Sequence, residues 1–317
     1  MTIARRKQVC LSVTPYYHCV TRCVRQAYLC GFNEEKKRNY NHRRQWIEDR
    51  LLLLTQVYCI DVAGFAVMSN HYHVILRVDK NKADKLSEDE VVERWLKIYR
   101  GSVLIQRYAA GEELGETELL EVSKTISEYR DHLSNLSRFM GNLNENIARK
   151  ANLEDGCTGA FWESRFRSQA LLDEEAVLRT MCYVDLNPVR AKMAKTPESS
   201  KHTSVHRRLK ERVSGLLPFR DSLKASSNSS DLSEVSLSTT FKQYLELLDW
   251  TGKLIQKGKR GSVNEKEPSI ISRLGYTPNA WLNVQTPTIS WRQKALGSKD
   301  RIEEYCHAVG KNWIWQF

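Results

Sequence analysis

The order of apolar and polar side chains predicts a chain that switches repeatedly between strand and helix. Tyr16 to Arg25 (YYHCVTRCVR) follows Pro15 and is rich in aromatic and β-branched residues, which predicts a first strand. From Arg44 to Tyr58 the apolar residues Trp46, Ile47, Leu51, Leu54 and Val57 recur at helical spacing. Ile60 to Val78 then carries two β-like runs, DVAGFAVM and HYHVILRV, around Ser69-Asn70. A charged helix is expected from Ser87 to Tyr108, opened by a capping box of Ser87 with Glu90. A longer one is expected from Ile126 to Ala151, with Tyr129, Leu133, Leu136, Phe139, Met140, Leu143 and Ile147 along one side. Phe161 to Leu172 reads as a further strand. Asp173 should cap a helix from Glu174 to about Asn187, where Pro188 is expected to stop it.

After Lys195 the pattern changes. Ser222 to Thr240 is serine-rich and reads as an exposed linker. Phe241 to Ile255 has the spacing of an amphipathic helix, followed by a basic break (KGKRG) and short helical pieces carrying Trp281, Trp291, Trp313 and Trp315. No internal repeat is visible. The expected division is a first domain over 1–195, a basic, serine-rich linker over 196–240, and a mostly helical C-terminal appendage over 241–317 whose role the sequence does not state.

Composition narrows the class. A hydrophobic share of 41% beside 27% charged residues is that of an ordinary folded protein. Lys plus Arg number 49 against 38 Asp plus Glu, and the net charge of +11 favours polyanionic partners without identifying a groove. No run approaches a bilayer-spanning length, and Arg5, Arg6 and Lys7 precede no apolar core of signal-peptide length, so a cytoplasmic protein with no membrane partner is expected. The eight cysteines include no Cys-x-x-Cys pair, which argues against a zinc knuckle or disulfide framework and for reduced, buried thiols.

Two small constellations could carry chemistry. In a strand, His71 and His73 project from the same face and can converge on one metal, while Tyr72 points the other way with Val74, Leu76 and Val78 and reads as core. On a helix, Tyr183 and Asn187 stand one turn apart on one face, a phenol beside a carboxamide oxygen suited to Mg²⁺ or Mn²⁺. Taken locally, the second pair reads equally as a half-buried Tyr and an Asn that caps the helix before Pro188.

At these residues the sequence resembles a known family. GFAVMSNHYHVILRV (Gly64 to Val78) resembles the paired-histidine strand of HUH transposases. RFRSQALLDEEAVLRTMCYVDLNPVRAKM (Arg165 to Met193) is similar to the nucleophile helix of REP-associated tyrosine transposases, and FMGNLN (Phe139 to Asn144) and FWESRF (Phe161 to Phe166) extend the likeness over about Pro15 to Lys195. The resemblance implies an α+β chain with a ferredoxin-like antiparallel sheet and helices on one face. It implies Tyr183 as nucleophile, and His71, His73 and Asn187 as ligands of Mg²⁺ or Mn²⁺. The implied partner is single-stranded or hairpin DNA, with repetitive palindromic elements as target and a monomer or homodimer as the acting unit. The sequence departs from the family at Ser69, where many relatives have Pro, in a longer segment from Ser87 to Ser123, and after Lys195, which has no counterpart in compact members.

Arg22 and Arg25 on the first strand, and Arg165 and Arg167 beside Trp162, combine cations with an aromatic able to stack on a base, and are the expected DNA contacts. His18, on the same strand face as Arg22, reads as structural. The expected activity is cleavage and rejoining of DNA through a phosphotyrosine. The alternatives are a domesticated repeat-binding protein without transposition, and a relaxase or replication initiator, although no GxxxxGK[ST] phosphate loop is present.

Overall fold

A computed structural model describes residues 8–24, 29–34, 37–210, 213–221, 236–257, 281 and 294–311. Strand β1 (Tyr16–Arg22) is followed by a two-residue ribbon, β2 (Phe32–Asn33) with β3 (Arg38–Asn39), and by helix α1 (Arg43–Val57). The hairpin of β4 (Ile60–Val67) and β5 (His71–Val78) turns at Ser69-Asn70, as its alternating runs predict. Next come α2 (Lys80–Lys85), α3 (Glu88–Leu96), α4 (Val103–Ala109), α5 (Glu116–Leu133) and α6 (Leu136–Asp155), then β6 (Arg167–Leu171) and α7 (Glu174–Arg190). The chain continues through α8 (Ser204–Leu209), α9 (Phe241–Lys257), β7 (Ala295–Leu296) and α10 (Lys299–Ala308).

The sheet runs β4-β5-β1-β6-β7. Its first four strands are antiparallel neighbours, joined in chain order by α1 and α6, which is the split βαβ arrangement of a ferredoxin-like α+β fold. The fifth strand was not anticipated. β7 pairs parallel to β6, so the C-terminal region adds to the sheet instead of hanging from it as an appendage.

Helices cover both faces, where one covered face was expected. On one side Tyr17, Cys19, Tyr72, Val74 and Leu76 pack against Ile47, Leu51 and Leu54 of α1 and Phe139, Leu143 and Ile147 of α6. On the other, Ala66, Ile75 and Leu171 meet Leu178, Met181 and Cys182 of α7, and Tyr244 and Leu248 of α9 lie in the same core. α7 is therefore buried nearly all round, which is why its apolar residues do not keep to one stripe. Gly64 sits where α7 and α8 come closest to the sheet. A Cβ there would lie 3.3 Å from Ser204 Oγ and 3.6 Å from Met181 Cγ.

Several boundaries differ from the pattern-based expectation. The Ser87–Tyr108 segment is two helices broken around Gly101, whose φ of +73° suits glycine. The long helix begins earlier and is interrupted at Ser134-Asn135, where Asn135 caps α6 by accepting from Ser137 and Arg138 N–H. The capping box of Ser87 and Glu90 and the Asp173 cap are present as read. Pro188 does not end α7, which continues to Arg190, with Ala191 N–H reaching Asn187 O. A proline inside a helix forfeits one backbone hydrogen bond, at a cost of about 3 kcal/mol. Packing on both sides of α7 holds the helix against that cost.

The segment 196–221, expected as the first part of a linker, is packed. Thr203, Ser204, Val205, Leu217 and Phe219 are buried, and Arg208 donates to Ala63 O and Leu217 O. Most of the serine-rich run (222–235) lies outside the described residues, as do Trp291, Trp313 and Trp315. No helix among the described residues is long and apolar enough to cross a membrane.

Candidate active site

The register of the sheet decides what shares a face. Val20 is paired with His73, Arg22 with His71 and His18 with Ile75 across β1 and β5, and Gln169 is paired with His18 across β1 and β6. Cross-strand partners project to the same side. Arg22, His18, His71, His73, Arg167 and Gln169 therefore all lie on the face that α7 covers. Tyr72 goes to the opposite face, fully buried, with its hydroxyl donating to Asn144 Oδ1 at 2.5 Å. It is the core residue its position in the strand predicts.

α7 lowers Tyr183 and Asn187 onto the histidines of the same chain. The Tyr183 ring lies 5.7 Å from His73 and 6.5 Å from His18, edge-on to both, and His71 lies 5.0 Å or less from His73, with centroids 4.9 Å apart. The Asn187 amide nitrogen is 3.0 Å from His73 Nε2. Tyr183, Asn187, His71 and His73 thus converge, and their spacing in sequence had already placed each pair on one face.

Each paired histidine has its Nδ1 engaged. His71 Nδ1 is 2.7 Å from Asn70 Oδ1, and His73 Nδ1 is 2.9 Å from His18 Nε2. With Nδ1 occupied, Nε2 is the ring atom each has left for the pocket. Burial disfavours the charged form of all three rings. It lowers His18 and His71 to about 4, with the Arg22 cation adding to the effect at His71, and lowers His73 further still, helped by its histidine neighbours. At neutral pH all three are uncharged, the state in which imidazole offers a lone pair.

These donors were tested against a divalent cation. No group of three His, Cys, Asp or Glu side chains gathers around a metal position among the described residues. The available set is two neutral imidazoles and one carboxamide, whose oxygen and nitrogen differ only by a rotation of the side chain. That set fits a divalent ion of the Mn²⁺ or Mg²⁺ kind, leaving further positions to water and phosphate oxygen.

Arg190 was not picked out from the sequence. Its guanidinium carbon stands 5.2 Å from the centre of the Tyr183 ring, and its Nε is buried without a hydrogen-bond partner in the protein. Burial raises the Tyr183 phenol above its ordinary pKa, and the Arg190 cation and a hydrogen bond with Asn187 counter part of that rise. The signal was present: residues 183, 187 and 190 fall on one helical face at i, i+4 and i+7.

The expected DNA contacts separate. Arg22, Arg165 and Arg167 are exposed and, with His71, Val20, Glu163 and Ser164, line a cleft of about 160 Å³. Trp162 is not in it. It packs with the α1 and α6 core, edge-on to Tyr72 at 5.8 Å, and its indole N–H is donated to Asn144 O at 2.9 Å. A base stacked beside His71 would be on the other side of the sheet, so Trp162 is a packing residue here. Arg25 lies outside the described residues.

No protein-family profile matches the chain, and no curated protein matches it. Among solved structures, a REP-associated tyrosine transposase bound to a REP hairpin aligns over 75% of this chain and 96% of its own length, at 13% identity and a TM-score of 0.37. A likeness that distant leaves the chemistry to be read from the residues of this chain.

Proposed function

We propose that the chain is a metal-assisted DNA strand transferase that cleaves single-stranded or hairpin DNA by forming a covalent bond to Tyr183. The observation that carries this reading is the convergence within one chain of the Tyr183 phenol, the neutral His71 and His73 rings, the Asn187 amide and the Arg190 cation. The resemblance of the two motifs to REP-associated tyrosine transposases supports the same roles for Tyr183, His71, His73 and Asn187. His71 Nε2, His73 Nε2 and the Asn187 carbonyl oxygen would hold Mg²⁺ or Mn²⁺, which when bound polarises the scissile phosphate.

The other tasks fall to the chain itself. Tyr183 Oη bonds to phosphorus as the bond from phosphorus to the leaving deoxyribose oxygen breaks. The phenol proton passes to solvent and the leaving oxygen takes one up, giving a phosphotyrosine and a free DNA hydroxyl. Reversal by a second hydroxyl rejoins the strand without ATP, because the phosphoester is kept. Arg190 favours the phenolate and offers an unpartnered N–H to a phosphate oxygen. Arg22, Arg165 and Arg167 neutralise the phosphates that lead into the cleft.

The test is a denaturing gel. Wild-type protein incubated with Mn²⁺ or Mg²⁺ and labelled hairpin oligonucleotides, drawn from repeated palindromes flanking the coding region, should yield a protein–DNA adduct that Tyr183→Phe abolishes. An adduct that survives in Tyr183→Phe places the nucleophile elsewhere. Tight binding without any cleavage in the wild type makes the chain a DNA-binding protein that no longer transfers strands.

A further inference from the structure

His18 and Gln169 belong to none of the roles above, yet they complete a hydrogen-bonded line across the sheet beneath the site. His18 is 2% exposed and His73 1%, so neither ring can exchange its partner for water. His18 Nε2 stands 2.9 Å from His73 Nδ1, with the rings tilted by 16°. Two neutral imidazoles at that separation share one proton, so one nitrogen donates and the other accepts.

Which one donates decides what His73 shows the pocket. A proton on His73 Nδ1 leaves the Nε2 lone pair pointing at Asn187. A proton on His18 Nε2 forces the His73 proton to Nε2, and the pocket loses a ligand atom. The far side of His18 settles the direction. Gln169, directly opposite His18 across β1 and β6, is hydrogen-bonded to it in the sense that favours a proton on the ring, so its amide accepts. His18 Nε2 is committed to His73, which leaves Nδ1 to donate to Gln169. A neutral ring with its proton on Nδ1 must accept at Nε2.

We propose that His18 is a positioning residue, held by Gln169, that locks His73 in the Nδ1-protonated tautomer so that its Nε2 faces the pocket as a lone pair. Asn70 does the same for His71 through Nδ1 at 2.7 Å. The two imidazoles are thereby presented alike, one oriented from its own turn and the other from two strands away. Partners of this kind orient metal-bound histidines and typically change metal affinity by about 10- to 100-fold when removed. The inference rests on the proposed reading of the pocket for its purpose, and on the hydrogen-bond geometry alone for the tautomer.

The experiment is long-range ¹H–¹⁵N NMR of the histidine rings in the metal-free full chain, followed by titration with Mn²⁺ alone. His73 in the wild type should show protonated Nδ1 and unprotonated Nε2. In His18→Gln, whose amide oxygen can still accept, that pattern should persist and Mn²⁺ affinity should stay within about 3-fold. In His18→Phe, His73 should shift toward the Nε2-protonated form and Mn²⁺ affinity should fall by about 10- to 100-fold. Protonated Nε2 in the wild type overturns the proposal without any variant, as does an unchanged His73 pattern in a folded His18→Phe protein. Should the tautomers behave as stated while the wild type binds no Mn²⁺, the lock stands and it is the reading of the pocket as a metal site that fails.

Discussion

The helix that carries Tyr183 is held from behind by one carboxylate, and its removal is the sharpest test of how the site is built. Asp185 is two residues from both Tyr183 and Asn187, about 200° round the helix from each, so it points away from the pocket. It is 1% exposed. Its Oδ1 accepts from Ser204 Oγ at 2.7 Å and Val205 N at 3.2 Å, and its Oδ2 accepts from Tyr244 OH at 2.6 Å. Ser204 Oγ in turn accepts from Phe65 N on β4 at 3.1 Å. One side chain thus ties α7 to α8 and α9 and, through Ser204, to the sheet.

Asp185→Ala leaves three buried donors without an acceptor, each worth about 1–3 kcal/mol when unsatisfied. Against this stands relief from burying a carboxylate, whose pKa burial already raises despite the hydrogen bonds from Tyr244, Ser204 and Val205. Breaking a buried charged network by removing one member costs about 3–5 kcal/mol net, and that is the loss expected here. Tyr244→Phe removes one bond and should cost about 1–2 kcal/mol. Because both changes strike one network, the double variant should be less destabilised than the two single losses added, by at least about 0.5 kcal/mol. Urea unfolding followed by far-UV circular dichroism measures all three, with an unchanged slope showing that the unfolded state is not involved. Asp185→Ala within about 1 kcal/mol of wild type, or strict additivity of the pair, refutes the network as the anchor of α7.

Glu48, 6% exposed, bonds His202 and Arg207 of the segment packed beside α8. Burial pushes its carboxyl up, but those two partners outweigh burial and hold it below its ordinary value. A depressed carboxyl adds stability above its unfolded pKa, near 4.3, and that stability disappears as pH falls through the folded value. Glu48→Gln should therefore be less stable than wild type at pH 7, with the gap closing below about pH 4 in thermal melts; a gap that persists at pH 3 contradicts the sign. In the cleft, Arg22→Ala with Arg167→Ala should weaken hairpin binding at every sequence and reduce the salt slope by about 2, read by fluorescence anisotropy between 50 and 200 mM salt as a rough working range. An unchanged slope removes these arginines from the phosphate path. Trp162→Phe keeps the aromatic packing but loses the bond to Asn144 O, so it should cost about 0.5–1.5 kcal/mol in urea unfolding and leave hairpin affinity unaltered. Selective loss of affinity would return Trp162 to the DNA interface. Arg190→Ala should slow adduct formation by Tyr183 while Mn²⁺ binding by the metal-free chain is kept, and an adduct rate equal to wild type dismisses its role beside the phenol.

What the sequence determined by itself is everything that depends on neighbours a few residues apart. The strand period of two placed His71 and His73 together and sent Tyr72 to the core, and the helical period did the same for Tyr183 and Asn187. Turn and cap chemistry at Ser69-Asn70, Ser87 and Asp173 is equally local, and the structure keeps it. What only the tertiary structure decided depends on pairings between distant segments. His18 reaches His73 because β1 lies between β5 and β6 in one particular register, and a shift of a single residue would turn it to the other face. Trp162 belongs to the α1 and α6 side because Cys23 bridges to it there. α7 runs through Pro188, and residues 196–221 are buried, because α8 and α9 close over the second face of the sheet. β7 joins the sheet by parallel pairing to a strand more than a hundred residues earlier, and no local period carries information about such a partner.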